Sequence, residues 1–391
     1  MNKSLIAGAI GAVLALPGHA AEIYKSDNTT VSVGGYIKAS VMYSDYSDGP
    51  APASSSIGRI YNVPNTIPVT GNSGPDPVLD FTARESRFNL ATTSNIDGHT
   101  LKTYIEMDFL SGFNGNERVS NSQGPRLRHA YFSYDNWLFG QTFTTFQDTG
   151  SLPETADFLG PADSTVFVRQ AQIRYTSGNW QFSIENPDTT YTEFGQAGSV
   201  EADSAQLPDV VARYNMKGDW GHFMVAGILR QLKADTTDIY GTTHSGETAS
   251  GYGVSASGLF KVGDKDDFRF MVTAGDGLGR YIALNTFAGA AVKGTGSLDT
   301  ISTVSAFAAY RHWWNDQMRS TFTLSGSTAN NNNNYVAGTV NKKVQSAHVN
   351  LMYSPIKPLT FGVEYMFAQR ELENGDKGDL SRVQFFGKYA F

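Results

Sequence analysis

The chain of 391 residues contains no cysteine and has a low charged fraction. Without cysteine there is no disulfide framework, thiolate metal site or cysteine nucleophile. Only 17% of the residues are charged although 40% are hydrophobic, which is unusual for a soluble protein. The formal net charge is -7, and the sequence has no basic stripe of the kind that binds nucleic acid. Nucleic acid is therefore not an expected partner.

Long apolar runs are also missing after the first twenty residues. No later segment reaches the roughly 18 apolar residues that a spanning helix needs. The first twenty residues have the order of a secretion signal: Lys3 supplies the positive charge, an apolar stretch follows at 5–16, and Ala20 ends a small-residue cleavage site. We predict a cleaved signal peptide at 1–20 and a single domain at 21–391.

From residue 30 to the end, apolar and polar residues alternate with a period of two. Alternating segments of about ten residues, separated by turn residues, are typical of transmembrane strands. The candidate strands lie at 30–43, 83–95, 99–110, 126–135, 136–144, 166–176, 179–187, 207–217, 220–231, 249–262, 267–276, 300–313, 317–328, 343–354, 358–371 and 379–391. The sequence therefore predicts an all-β fold, a 16-stranded antiparallel transmembrane β-barrel.

The connections between these segments alternate in length. Short turns, such as 96–98 and 218–219, alternate with long segments rich in Gly, Asn, Ser and Pro at 47–82, 186–206, 232–248, 277–299 and 330–334. Short turns at one rim and long loops at the other are typical of an outer-membrane barrel with a periplasmic and an extracellular rim. A soluble β-sandwich is the alternative fold, and it does not explain this alternation.

The chain ends in Phe391, and an aromatic residue commonly closes barrels of this class. The assembly machinery of the outer membrane reads that end of the last strand. We therefore expect the barrel assembly machinery to be a partner through Phe391. Outer-membrane lipid and lipopolysaccharide are the other expected surroundings.

One segment has the composition of a loop that folds into a pore. It covers 146–161 and carries Asp148, Glu154 and Asp157. Its apolar residues, which can anchor it to the inner wall, are Leu152, Phe158 and Leu159. Solute selection needs a narrow place with concentrated charge. We predict that this third extracellular loop forms the pore constriction, with Glu154 and Asp157 at the rim of the opening. An ordinary external loop with solvated acids is the alternative.

Basic residues outnumber acidic ones at the positions that the alternation places inside the barrel. The predicted basic pore lining is Lys38, Arg87, Lys102, Arg128, Arg169, Arg174 and Arg382. Arg169 shares the parity of the outward-facing Ile173 and Tyr175, so its direction stays open. The basic excess predicts a pore that prefers anions. For any single arginine, pairing with a carboxylate or with lipopolysaccharide is the alternative role.

Motifs for catalysis are missing. The chain has neither the Gly-x-Ser-x-Gly turn of hydrolases nor the His-Glu-x-x-His zinc motif. Its seven histidines are scattered along the chain. We therefore predict no enzyme activity, no metal site and no cofactor. An outer-membrane enzyme, or an adhesive or structural barrel with a plugged lumen, is the alternative function.

Four stretches of the chain resemble the DcaP-type porins of Gram-negative bacteria. They are RHAY at 128–131, FGQTFTTF at 139–146, LPETADFLGP at 152–161 and FVRQAQIRY at 167–175. The resemblance implies a sixteen-stranded homotrimer with an inward third loop, a basic lumen, and transport of small anionic compounds such as dicarboxylates. Some relatives carry a helical segment after the signal that forms a coiled coil, whereas Ala21 here leads almost directly to a strand.

Overall fold

The protein is described by a computed structural model that covers residues 20–52, 55, 57–69, 77–110, 120–202 and 204–391. The predicted signal peptide at 1–20 lies outside the described residues except for Ala20. Over the described ranges, the helices are short 3-10 turns, and none is long and apolar enough to cross a membrane.

The described residues contain 22 strands. Strands β1 to β8 are Ala21–Lys25, Thr29–Tyr46, Val78–Thr82, Arg87–Ile96, His99–Asp108, Arg126–Tyr134, Trp137–Phe143 and Arg169–Ser177. Strands β9 to β15 are Trp180–Glu185, Thr189–Thr192, Ser199–Ala202, Asp209–Gly218, Gly221–Thr237, Thr243–Val262 and Asp266–Asp276. Strands β16 to β22 are Ala290–Val292, Leu298–Thr300, Ser302–Trp313, Met318–Asn330, Asn341–Ile356, Leu359–Leu372 and Lys377–Ala390. The 3-10 turns are Pro64–Thr66, Thr149–Ser151, Gly279–Tyr281 and Ala283–Asn285.

Sixteen of these strands form one closed antiparallel barrel, namely β2, β4 to β9, β12 to β15 and β18 to β22. The barrel closes at β2, where Tyr36 lies opposite Ala390 of β22 on one side and Arg87 of β4 on the other. Closure removes the free sheet edges, which matters because hydrocarbon offers no partner for an unpaired amide. The predicted 16-stranded antiparallel barrel is confirmed.

Alternate residues of each strand face the lumen and the lipid, as the period of two requires. In β5, the side chain of Tyr104 is 6% exposed and faces inward, whereas that of Ile105 is 39% exposed and faces outward. The inward face of the same strand also carries Lys102, Glu106 and Asp108. The alternation of side chains therefore places the charged residues of this strand in the interior of the barrel.

Two of the predicted loops contain strand that pairs within the barrel sheet. The segment 232–248 is mostly a hairpin, because β13 continues to Thr237 and β14 begins at Thr243, with Lys233 opposite Thr248. The segment 47–82 ends in β3, which pairs with β2 and precedes a break before β4. The assignment of 232–248 was wrong because its polar residues pair beyond the hydrocarbon layer, where no apolar alternation is required. The assignment of 78–82 was wrong although Leu79 and Phe81 are exposed on either side of buried Asp80, because this strand has only five residues and ends before β4.

Four short strands lie in two of the extracellular connections and form a second sheet. The order of this sheet is β11-β10-β16-β17, and β10 and β16 run parallel. The sequence analysis did not predict it. It joins the connection between β9 and β12 to the connection between β15 and β18, so these two loops form one extracellular layer.

Two loops enter the barrel and position the candidate site. We call residues 144–168, between β7 and β8, the inner loop, and residues 277–301, between β15 and β18, the cap loop. They meet where Val166 bridges to Ile282 and where the amide of Phe167 donates to the carbonyl of Tyr281. A buried apolar cluster joins both loops to the wall from β12 to β20. That side of the lumen is packed with side chains.

Candidate functional site

The inner loop begins with a turn that Asp148 stabilises. Its carboxylate accepts a hydrogen bond of 3.1 Å from the amide of Gly150 and caps the 3-10 turn there. The same carboxylate lies 2.8 Å from Nε2 of His222 and 3.6 Å from the guanidinium of Arg213. Burial opposes ionisation of Asp148, but the bond to His222 and the charge of Arg213 outweigh it and lower the pKa. Asp148 is thus an ionised anchor between the loop and the wall.

Glu154 attaches the middle of the loop to the wall. Its carboxylate accepts two hydrogen bonds from Arg319 of β19, one of them 2.6 Å from Nε, and lies 3.7 Å from Arg311 of β18. Burial raises the pKa of Glu154, but the bond and charge of Arg319 lower it more, so the net shift is downward. The side chain remains 25% exposed. Glu154 therefore borders open space while it holds the loop.

Asp157 is enclosed rather than placed at an open rim. It is 1% exposed, and its oxygens accept hydrogen bonds of 2.8 Å from the amides of Asn62 and Leu159. Arg382 of β22 lies 3.6 Å away. The sequence analysis expected Asp157 at the rim, but the first extracellular loop, which carries Asn62, folds in over it. Burial raises the pKa of Asp157 despite the charge of Arg382.

The peptide groups on either side of Ala156 are held by the wall. The amide of Ala156 donates to Glu364 at 2.8 Å, and its carbonyl accepts from Lys38 at 2.8 Å and from Gln384 at 3.0 Å. Lys38 also pairs with Glu85 at 2.6 Å. Lys38 and Arg382, which the sequence analysis listed as pore lining, are buried and fix the tip of the loop.

A group of arginines occupies the extracellular ends of β4, β6 and β8. Arg126 and Arg128 bond to Asp108 at 2.8 Å. Arg128 also bonds to Glu106 at 2.6 Å, and Arg87 lies 3.4 Å from the same carboxylate. We call Arg87, Arg126, Arg128 and Arg169 the arginine cluster.

Aromatic rings of the inner loop and its borders pack against this cluster. The ring centre of Phe158 lies 5.0 Å from Cζ of Arg87 and 5.2 Å from Cζ of Arg128. Arg169 lies 5.3 Å from the ring centre of Phe167 and 5.9 Å from that of Phe143. Cation–π contacts of this kind hold a guanidinium without neutralising its charge.

Arg169 is the least compensated member of the cluster. Its Nη1 atom is buried without a hydrogen-bond partner, and within the described residues no carboxylate forms an ion pair with it. The charges that act on it most strongly are those of Arg128 and Arg126, which face the lumen. Its guanidinium therefore lies near the other arginines of the cluster, although its strand parity matches outward-facing residues.

A second set of basic side chains lies on the periplasmic side of the inner loop. It comprises Lys102, Arg174, Arg213, Arg269, Arg311, Arg319 and Lys388. Several donate to loop carbonyls, as Arg213 does to Gln147 at 2.7 Å. Arg174 donates to the carbonyl of Phe143 and to the side chain of Gln172. For Lys102, near the turn after β4, the described chain offers no ion-pair partner. Basic side chains thus border the inner loop on both sides, although Arg213, Arg269, Arg311 and Arg319 are paired with Asp148, Asp267 or Glu154.

The buried hydroxyl group of Tyr281 holds the cap loop in place. The sequence analysis did not predict this role. Tyr281 donates to Asp209 at 2.8 Å and accepts from Gln170 at 2.7 Å. Arg230 donates to the carbonyl of Leu278 at 2.7 Å. Burial raises the pKa of Tyr281 far above its usual value, so the hydroxyl stays a neutral donor. No local pattern marks these residues, because their partners lie far away in the chain.

Nothing in the described part of the chain gathers three or more His, Asp or Glu side chains into a possible metal site. The charged groups instead serve to hold two loops and to line a polar passage. Such an arrangement can orient and filter charged solutes, since fixed charges act strongly in a confined lumen.

Comparison with known proteins gives both a family and a fold. The family model described as DcaP outer membrane protein matches residues 22–391. No curated protein matches the chain by sequence. Among solved structures, the outer membrane channel DcaP of Acinetobacter baumannii is 23% identical, with a TM-score of 0.74, over 94% of this chain and 99% of that one.

Two further solved structures share the fold at lower identity. OmpF of Salmonella typhi, in complex with daunomycin, is 13% identical, with a TM-score of 0.56, over 95% of this chain and all of that one. The anion-selective porin from Comamonas acidovorans is 13% identical, with a TM-score of 0.54, over 93% of this chain and all of that one.

Proposed function

Since the chain belongs to the DcaP outer membrane protein family, we propose that it is a passive diffusion channel for small polar solutes that favours anions. It is an outer-membrane porin, and its place is the bacterial outer membrane. Passive diffusion requires no covalent step and no cofactor. The preference for anions is the part of this proposal that depends on the candidate functional site.

The observation that carries the proposal is the charge balance of the arginine cluster. Its four guanidinium groups are balanced by only two carboxylates, those of Glu106 and Asp108. Nearby Glu85 is not counted because it is already paired with Lys38. The uncompensated positive charge attracts anions into the lumen and repels cations, because wall charges in a narrow pore are poorly screened.

Dicarboxylates are the proposed solutes because basic groups border the inner loop on both sides. The arginine cluster lies on the extracellular side, and Arg174 and Arg213 lie on the periplasmic side. A solute with two carboxylates can keep one of them near positive charge while the other crosses the loop. The anion-selective porin from Comamonas acidovorans shares the fold, which is compatible with this proposal.

The remaining partners are also proposals. Cleavage of residues 1–20 releases a mature barrel of 21–391, and the barrel assembly machinery inserts it by reading Phe391. The mature protein forms a homotrimer surrounded by lipid and lipopolysaccharide. Crosslinking of the detergent-extracted protein tests the trimer. The largest crosslinked product should contain three subunits.

Uptake into liposomes tests the function. The purified barrel is reconstituted, and the entry of succinate is compared with that of a neutral triol and a diammonium compound of similar size. The proposal predicts that succinate enters fastest and the diammonium compound slowest. Equal rates would contradict the anion preference. Entry of none of the three would favour a plugged barrel with a structural role.

A further inference from the structure

A recess lies on the periplasmic side of the inner loop, between the loop and the wall formed by β6 to β9 and β12. Its volume is about 40 Å³, and its lining includes Tyr131, Gln147, Arg174, Gln181 and Arg213. This space holds about two or three water-sized groups. It suits a carboxylate with a bound water and is too small for a sugar ring.

The side chain of Gln147 has no partner in this recess. Gln147 is 2% exposed, and within the described chain neither Oε1 nor Nε2 forms a hydrogen bond. Its backbone carbonyl, in contrast, accepts from Arg213. An unsatisfied buried amide costs roughly 1 to 3 kcal/mol. A ligand in the recess can therefore supply an acceptor to the Nε2 group of Gln147, and a water bound beside it can donate to Oε1.

Arg174 supplies positive charge to the same recess. Its Nε and Nη2 atoms donate to Gln172 and to the carbonyl of Phe143. Across the described ranges, no carboxylate lies within ion-pair distance of it, so its charge is not neutralised by a direct partner. Tyr131 adds a hydroxyl for which the described residues offer no hydrogen bond. Among the described residues, the amide of Gln147 and the hydroxyl of Tyr131 are therefore donors without an acceptor, next to the unneutralised charge of Arg174.

We propose that this recess is a binding subsite for one carboxylate group of a small organic acid. The amide of Gln147, the hydroxyl of Tyr131 and the remaining Nη1 group of Arg174 donate to its oxygens, and Arg213, which is paired with Asp148, borders the site. The site lies beyond the inner loop on the periplasmic side, where it retains an anion that has passed the arginine cluster. This inference rests on the proposed channel function.

Block of the chloride current through the channel by acetate tests the subsite. The full mature barrel in a planar bilayer carries chloride current, and acetate added at the periplasmic side is expected to block it briefly and in a saturable manner. The variants Gln147→Leu and Arg174→Gln should raise the acetate concentration for half-maximal block about tenfold, which corresponds to about 1.4 kcal/mol. Tyr131→Phe removes one hydroxyl only and should raise it less.

The matched control is Gln345→Leu, the same exchange on the outward face of β20, where the block should keep its wild-type concentration dependence. Gln147→Leu should also resist thermal unfolding at least as well as the wild type, because the lost amide had no partner. Unchanged acetate block in Gln147→Leu and Arg174→Gln, with anion uptake intact, would overturn the subsite alone. A barrel that passes no anions would instead overturn the proposed function.

Discussion

Glu154 of the inner loop and Arg319 of β19 form a two-bond ion pair between the loop and the barrel wall, with a carboxylate oxygen 2.6 Å from Nε of Arg319. Since the pKa of Glu154 is lowered from the ordinary value of 4.5, the pair contributes stability above that pH. The contribution is lost as the pH falls through the lowered pKa.

The variant Glu154→Gln should therefore be less stable than the wild type at pH 7. We expect a loss of about 1.5 to 3 kcal/mol, the range for hydrogen bonds to charged groups. Denaturant unfolding in detergent, followed by tryptophan fluorescence, measures it. At pH 3, below the ordinary pKa of 4.5, the difference between variant and wild type should be smaller than at pH 7. A difference that is equal at both pH values would contradict this role of the ion pair.

Arg169 offers the cleanest test of the arginine cluster, because its removal leaves no paired carboxylate behind. Arg169→Gln should lower succinate uptake into liposomes several-fold, since positive charge is lost at the constriction. The comparison is Arg370→Gln, in which the lost guanidinium was bonded to Asn341 and to loop carbonyls at the extracellular rim.

We expect Arg370→Gln to change uptake less than Arg169→Gln does. The exchanges Arg87→Gln and Arg128→Gln should also lower uptake more than Arg370→Gln. Equal effects in all these variants would reject the assignment of selectivity to the arginine cluster.

The cap loop should limit the width of the pore. The amide of Gly277 donates to the carbonyl of Ile301 at 3.0 Å, so a short turn can join the two ends when 279–300 are removed. The shortened protein should show roughly twofold higher single-channel conductance, because pore width governs ion flow. It should also prefer anions less, since Glu185 and Asp209 become exposed. Unchanged conductance would show that solutes do not pass on that side.

Gly140 of β7 should not tolerate a side chain. Its φ is +127°, and a Cβ would lie 2.4 Å from the carbonyl oxygen of Ala130. Gly140→Ala should destabilise the barrel by about 1 to 3 kcal/mol, measured by denaturant unfolding in detergent. The control is Gly227→Ala in β13, where the nearest atom would be 3.9 Å away. Equal stability of the two variants would contradict this account of the strand pair.

The barrel was predictable from the sequence because its cause is local. Hydrocarbon on one side of a strand and a polar lumen on the other impose a period of two, as outward-facing Ile105 and inward-facing Glu106 show. The ends of β13 and β14 escaped prediction because they extend beyond the hydrocarbon layer. There the lipid no longer selects apolar residues at alternate positions.

The site was only partly predictable because its contacts are distant in sequence. Composition indicated that the inner loop carries acids, but not that Asp157 meets Arg382 or that Asn62 covers it. Tyr281 gave no signal at all, since its partners Asp209 and Gln170 lie on other strands. Parity leaves the direction of Arg169 open, and the contacts of its guanidinium with Phe143 and Phe167 could not be read from the sequence.

The reversal potential of the reconstituted wild-type barrel under a potassium chloride gradient tests the central claim most directly. An excess of arginine charge at the constriction predicts that chloride carries most of the current. The reversal potential should therefore lie between zero and the equilibrium potential of chloride. A reversal potential on the potassium side would contradict the account.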